Sequence, residues 1–188
     1  MKKKLVGIVT QIFPVTVGVF LGFLVSNWAD SRKEHAQTAI LIENLQLEII
    51  SNKAHIESVQ EYHRILRDSS RHYSNPDVEM GEGGFFRGTR IFSLSNSAYQ
   101  TGIQTGIITE LPISKIQALN QLYTLQSTYN DFGKMLLTNY INKDFSDKEE
   151  ELRKIARFLA VTMTDVVIQE HNLIEGYDSM EQILKTRE

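Results

Sequence analysis

The side chains best suited to metal or acid–base chemistry in this chain are its five histidines, His35, His55, His63, His72 and His171. Zinc proteases use the helical pattern His-Glu-x-x-His, and di-iron bundles use Glu-x-x-His. None of the five histidines follows either pattern, because none has a glutamate next in sequence or three residues before it. The sequence therefore predicts no metal-binding residues.

Nucleophilic and phosphate-binding motifs are also missing from the sequence. The chain has no cysteine, which excludes thiolate nucleophiles and thiolate metal ligands. No Gly-x-Ser-x-Gly elbow is present, and Gly83-Gly84 lacks the Gly-Lys-Ser/Thr ending of a phosphate loop. The acidic run Glu149 to Glu151 is typical of a solvated first turn, where the helix dipole favours carboxylates. We therefore predict a non-enzymatic protein with no catalytic residues and no cofactor.

The most informative segment is instead an apolar stretch near the N-terminus. Residues 5–29 contain no Asp, Glu, Lys or Arg and directly follow three lysines at 2–4. A helix over Leu5 to Trp28 would be about 36 Å long, and the hydrocarbon core of a bilayer is about 30 Å thick. We predict a signal-anchor, a single-pass transmembrane helix over residues 5–29. The alternative is a cleaved secretory signal, but residues 26–29 lack small side chains at both cleavage positions.

The flanks of this segment predict which way it crosses the membrane. Residues 1–4 form a short basic tail, whereas Trp28, Arg32 and Lys33 are typical of an interfacial anchor at the other end. The positive-inside rule places the N-terminus in the cytoplasm and residues 30–188 in the periplasm, behind a bacterial inner membrane. Without the three lysines, 17 basic and 23 acidic side chains remain, a net charge of −6 that argues against nucleic-acid binding.

One face of the predicted membrane helix carries small and polar residues. Gly18, Gly22 and Ser26 recur every four residues, with Pro14 one step earlier. Small side chains let a second helix approach closely. Gln11 would prefer a hydrogen-bonding partner over lipid. We predict that these five residues pack against a membrane partner, either a second copy of this chain or another protein.

Apolar residues continue at helical spacing beyond the membrane segment. Eight residues follow one another at alternating intervals of three and four, and all but two of them are apolar. They are Ile42, Leu45, Ile49, Asn52, Ile56, Val59, His63 and Leu66. In a coiled coil, Asn52 would fix the register. In an antiparallel bundle, Asn52 and His63 would lie near the edge of the helix. The small number of clean heptads favours the bundle, and no helix breaker separates Trp28 from Arg67.

A glycine-rich loop at 74–88 interrupts this helical pattern. It contains Asn75-Pro76-Asp77 and four glycines, which favour turns over helix. Its Phe85 and Phe86 are predicted to pack onto the bundle, and contact with a partner is the alternative. Residues 90–94 are the only short strand candidate in the chain.

The remaining sequence predicts one short helix and two long ones. Ser95 or Asn96 can cap the short helix, and Gly106 can end it. Pro112 suits the first turn of the next helix, and Ser146 to Glu149 form a capping box before the last one. The predicted fold class is therefore all-α. One N-terminal transmembrane helix continues into an up-and-down bundle of about three long helices plus a short one.

Three parts of the chain contain short motifs that are informative when they are taken together. They are Gly18-x-x-x-Gly22 with Asn27-Trp28 and Arg32-Lys33-Glu34; Asn44-Leu45 with Glu48-Ile49; and Ala98-Tyr99 with Gly106 and Leu119-x-x-Leu122-Tyr123. Together they resemble a family of uncharacterised bacterial single-span membrane proteins with a helical extracytoplasmic domain. The sequence departs from that family at Ala29, where a polar residue is usual, and over residues 36–41, which are less charged. The resemblance implies architecture, since the family has no established activity.

These observations favour a protein that acts through contacts with other proteins. We expect a membrane-anchored scaffold, assembly or accessory protein that uses helix–helix and periplasmic contacts. One alternative is an extracytoplasmic ligand-sensing bundle that signals through a separate membrane partner. Another is a phage-type envelope or lysis factor.

Overall fold

Most of the residues that the structure describes lie in four α-helices and one 3₁₀ turn. The structure is a computed structural model that describes residues 2–79, 86–143 and 148–186, with side chains from Thr16 onward. Helices α1 to α4 are Lys2–Tyr73, Ser97–Thr105, Ile113–Ile141 and Glu149–Lys185, and the 3₁₀ turn is Ile107–Glu110. The described residues contain no β-strand, so the predicted all-α class is confirmed.

The first helix is much longer than the others and has two parts. Its 72 residues would extend about 108 Å at about 1.5 Å per residue. Residues 16–40, which we call the stalk, are exposed throughout apart from the half-buried Thr38. From Leu41 onward, one face of α1 is buried against the other helices. A single helix therefore joins the stalk to the bundle, as the lack of a breaker predicts.

The last helix packs antiparallel to α1. An ion pair joins Lys53 to Asp178, and Arg71 donates to Thr164 Oγ1 at 3.4 Å, so residue numbers fall along α4 as they rise along α1. The interface is filled by large apolar side chains that are almost completely buried, among them Leu45, Ile49, Leu66, Met163 and Leu173. Burial of this surface is the main favourable term that holds the two helices together.

Helix α3 also packs against α4 and runs antiparallel to it. Lys115 Nζ, at its start, donates to the carbonyl of Thr186 at 2.8 Å, and Tyr129 OH, farther along, donates to Glu170 at 3.1 Å. Helices α1 and α3 are consequently parallel. A non-helical segment, residues 86–96, fills the space between them, and we call it the strap.

The strap runs back along α1 towards the stalk. Tyr62 of α1 binds its start, accepting from the Arg87 N–H and donating to the Gly88 carbonyl, and Asn52 binds Ser95 near its end. Together the strap and α2 occupy the place that a second long helix would take. The predicted helical bundle is therefore confirmed, and an irregular segment with a short helix connects the parallel helices α1 and α3.

Several local expectations need correction. Asn52 and His63 are 2% and 0% exposed, so the prediction that they lie near the helix edge is wrong. They are buried because the strap covers that side of α1. The prediction that Ser95 or Asn96 caps α2 also needs correction. Asn96 occupies the N-cap position without a side-chain capping bond, and Glu48 of α1 accepts from the Ala98 N–H instead.

The other predicted helix ends agree more closely with the structure. Gly106 ends α2 with φ of 76°, a left-handed conformation that glycine adopts without strain. Pro112 is the residue before α3 and not part of its first turn. Lys148 precedes α4, and Ser146 of the predicted capping box lies outside the described residues.

The strap approaches α3 closely at Gly133. A Cβ atom at this position would lie 2.7 Å from Cγ2 of Ile91, a branched side chain with little freedom to move. We expect Gly133→Ala to lower the free energy of unfolding by about 1–2 kcal/mol, since overpacking outweighs the gain in helix propensity. Urea denaturation of the full chain measures this change.

A matched control for this substitution is Gly176→Ala in α4. Its Cβ would meet only the flexible end of Leu122, at 3.1 Å. This variant should be at least as stable as the wild type, because the leucine can shift slightly and alanine favours the helix. Equal stability of the two alanine variants would contradict the close approach of the strap at Gly133.

Candidate functional site

The stalk presents an apolar surface that no other part of the described chain covers. Its large apolar side chains are between 37% and 66% exposed, namely Val17, Val19, Phe20, Leu21, Phe23, Leu24, Val25 and Trp28. Soluble monomeric proteins rarely leave contiguous apolar patches of more than a few hundred Å² in water. The stalk is therefore a candidate contact surface.

The predicted helix-packing residues lie on this uncovered helix. An ideal Cβ at Gly18 or Gly22 would meet no atom within 4 Å, so the face is open along its length. Ser26 is exposed and donates to Asp30 at 3.5 Å. The side chains of Gln11 and Pro14 lie outside the described residues. The structure thus leaves Gly18, Gly22 and Ser26 free for an external contact.

The predicted interfacial residues are at the middle of the stalk. The guanidinium of Arg32 lies 5.0 Å from the centre of the Trp28 ring, one helical turn away. Such a cation–π contact contributes about 0.5–1 kcal/mol at an exposed site. Lys33 is exposed beside this pair. Among the residues that the structure describes, no helix has a long enough apolar stretch to cross a membrane, and the predicted span begins in residues whose side chains are not described.

Inside the bundle, a buried carboxylate holds the end of the strap and the start of α2. Oε2 of Glu48 accepts from the hydroxyls of Ser95 and Ser97 and from the Ala98 N–H, each at 2.9 Å, and Oε1 accepts from Tyr123 at 2.7 Å. Burial alone raises the pKa of Glu48, but these four hydrogen bonds together outweigh it and lower the pKa. Burial and the bond to Glu48 raise the pKa of Tyr123. Glu48 is therefore an ionised anchor.

Three side-chain amides bind the backbone of the strap. Asn130 of α3 accepts from the Leu94 N–H and donates to the Leu94 carbonyl, at 2.9 and 3.0 Å. Asn52 does the same for Ser95, at 2.9 and 2.7 Å, and Gln126 also donates to the Ser95 carbonyl. These amides replace the partners that a β-ladder would supply, which is why Leu94 can be buried although the strap forms no strand.

A buried histidine–glutamate pair lies in the interface between α1 and α4. Nε2 of His63 is 2.8 Å from the Thr89 carbonyl, which only accepts, so this nitrogen carries a hydrogen. Nδ1 is 2.6 Å from Oε1 of Glu170, and both side chains are 0% exposed. Tyr129 donates to the same carboxylate oxygen. The pair connects α1, the strap, α3 and α4 at one point.

The buried polar groups are arranged to hold the structure together. Both oxygens of Glu48 are already occupied, although a groove of about 310 Å³ lies beside it between Leu41 and Thr101. No cluster of three potential metal ligands occurs in the described ranges. Phe86 packs against the core with its ring 5.2 Å from that of Tyr140, and Phe85 lies outside the described residues.

Sequence reasoning missed most of this network. Asn52 and His63 stood out as polar residues in an apolar seam, and that was the available signal. Glu48 appeared only as part of a motif of the resemblance, and Gln126 and Asn130 carried no signal, because polar residues on a helix usually face water.

Comparisons with known protein families, with curated proteins and with solved structures find no match to this chain. A function therefore has to be inferred from the exposed stalk and from the surfaces of the bundle.

Proposed function

We propose that this protein is a non-enzymatic, single-pass membrane-anchored scaffold or assembly subunit. In this proposal the N-terminal helix holds a membrane partner and the bundle holds an extracytoplasmic one. The observation that carries the proposal is the uncovered stalk, whose apolar side chains have no partner within the described chain.

Lipid is the cover that best fits the N-terminal part of α1. Residues 5–29 lack charge, and the exposed Trp28 and Arg32 mark the point where polar residues begin. Three lysines at 2–4 favour a cytoplasmic N-terminus, so the bundle would lie on the periplasmic side of a bacterial inner membrane. The resemblance to single-span proteins with an Asn-Trp pair at the end of the anchor supports the same arrangement.

A second helix is the partner that best fits the small-residue face. Gly18 and Gly22 have open space above them, and a helix of this type can approach a neighbour closely enough for backbone contacts. Large side chains at these two positions would hold the neighbour away. The proposal therefore depends on two particular residues and can be tested at them.

We expect the double substitution Gly18→Leu with Gly22→Leu to remove most of the membrane partner that co-purifies with the full-length protein in mild detergent. Leucine keeps the segment apolar, so membrane insertion should be unchanged and only close packing is lost. Quantitative mass spectrometry measures a separate partner, and energy transfer between labelled copies in vesicles measures self-association.

The matched control is Val19→Leu with Phe23→Leu, which places two leucines at the same spacing on another face. Both double variants should remain in the membrane fraction and give the wild-type circular dichroism spectrum. If the glycine variant retains wild-type association in both measurements, the proposed helix contact is wrong.

A further inference from the structure

A groove at the end of the bundle farthest from the stalk combines basic walls with an apolar floor. It has a volume of about 410 Å³ and lies between the last turn of α1, with Arg71, and the first half of α4, with Arg157. Ala160 and Val161 form the floor, and Val161 is 63% exposed. Arg71 is held across the groove by its hydrogen bond to Thr164.

The two arginines of this groove differ from their neighbours in their pairing. Arg64 pairs with Glu61, Arg67 with Asp68 and Arg153 with Glu149. By contrast, no carboxylate in the described residues lies within ion-pair distance of Arg71 or Arg157. Two guanidinium groups and one carboxylate, that of Asp165, thus line the groove, which gives it a net positive charge in a chain that is acidic as a whole.

The positive charge and the apolar lining of the groove indicate which kind of molecule it can bind. Guanidinium groups bind carboxylates through paired hydrogen bonds, and the exposed floor suits a small apolar side chain between them. Anionic lipid is too far away if Trp28 marks the membrane surface, because 43 helical residues to Arg71 span about 65 Å. The net charge of −6 over residues 30–188 argues against a nucleic acid.

We infer that this groove binds an acidic segment of an extracytoplasmic protein, with carboxylates on Arg71 and Arg157 and an apolar side chain on Val161. The inference rests on the proposed function, since it names the kind of partner that the bundle would hold. Asp165 also lines the groove and carries the opposite charge. Asp165 therefore weakens the attraction of the groove for carboxylates, and a neutral residue at this position should strengthen binding.

The probe is a fluorescein-labelled pentapeptide in which valine alternates with glutamate, titrated with the full-length protein in detergent and followed by anisotropy. We expect Arg71→Gln with Arg157→Gln to weaken binding by about tenfold or more, as loss of two charge-assisted contacts requires. The charge-matched control, Arg64→Gln with Arg67→Gln, should change it by less than about twofold. Asp165→Asn should strengthen it.

Three outcomes would overturn the inference. They are no binding above that of empty micelles, equal binding of the peptide with glutamine in place of glutamate, or equal loss in the two arginine variants. These outcomes leave the Gly18 and Gly22 test untouched, because that test measures a contact in the membrane. Conversely, the peptide could bind normally while the Gly18→Leu with Gly22→Leu variant keeps wild-type association. That result would contradict the proposed helix contact in the membrane and would support the groove as a binding site.

Discussion

Replacing His63 with leucine is expected to lower the free energy of unfolding by about 3–5 kcal/mol, because two buried polar groups each lose their hydrogen-bond partner. The leucine would leave the carboxylate of Glu170 without its closest partner at a site with 0% exposure. It would also leave the Thr89 carbonyl without the Nε2–H donor. Because these groups cannot reach water, their desolvation is not compensated. Urea denaturation of the full-length protein measures the effect.

The corresponding control separates the cost of an orphaned carboxylate from the value of the pair. The double variant His63→Leu with Glu170→Leu removes both polar side chains and fills the space with apolar groups. We expect it to be more stable than His63→Leu alone, because buried pairs are often replaced by hydrophobic residues at little cost. A double variant whose loss equals the sum of two single losses would show that His63 and Glu170 do not interact.

The helices of this protein could be predicted because periodicity and turn chemistry are local. The spacing of Ile42, Leu45 and Ile49 alone defines a buried helical face, and all of these residues pack in or against the core. Gly106 is required by a left-handed backbone at one residue, which depends on little else. Features of this kind are encoded within a few turns of helix.

The strap could not be predicted because its partners are distant in sequence. Asn130 binds Leu94 and Asn52 binds Ser95 only after α3 and α1 have come together. Nothing in the residues around 90–94 identifies those amides, and the apolar character of the segment suggests a strand instead. Three amides bind the backbone of Leu94 and Ser95, so this part of the strap packs against the helices without a β-ladder.

The same argument explains why Asn96 occupies the N-cap position of α2 but makes no side-chain capping bond. Ser95 and Asn96 are the residue types that normally cap a helix, and they immediately precede it. Glu48 of α1 binds the first turn of α2 instead. Its carboxylate accepts from the Ala98 N–H and from the hydroxyls of Ser95 and Ser97 at the same time. An ionised acceptor at a helix N-terminus is also favoured by the helix dipole.

We expect Glu48→Gln to lower the free energy of unfolding by about 2–4 kcal/mol near neutral pH, because several charge-assisted hydrogen bonds are lost together. Glutamine has one acceptor oxygen, whereas both oxygens of Glu48 accept. The side-chain NH₂ group of glutamine would face hydroxyl and N–H groups that donate to Glu48 in the wild type. Glu43→Gln is the control, since Glu43 is exposed on the same helix and its substitution should change the free energy by less than about 0.5 kcal/mol.

The pH dependence of this difference tests whether the charge of Glu48 is responsible. Its pKa in the folded protein lies below the ordinary value of 4.5, so the ionised carboxylate stabilises the fold fully above that pH. As the pH falls below 4.5 and through the lowered pKa, the contribution disappears. The gap in unfolding free energy between the wild type and Glu48→Gln should therefore narrow in acid. Carboxylates common to both proteins cancel in this comparison. A gap that stays constant from neutral pH into acid would mean that shape, and not charge, makes Glu48 the anchor of the strap.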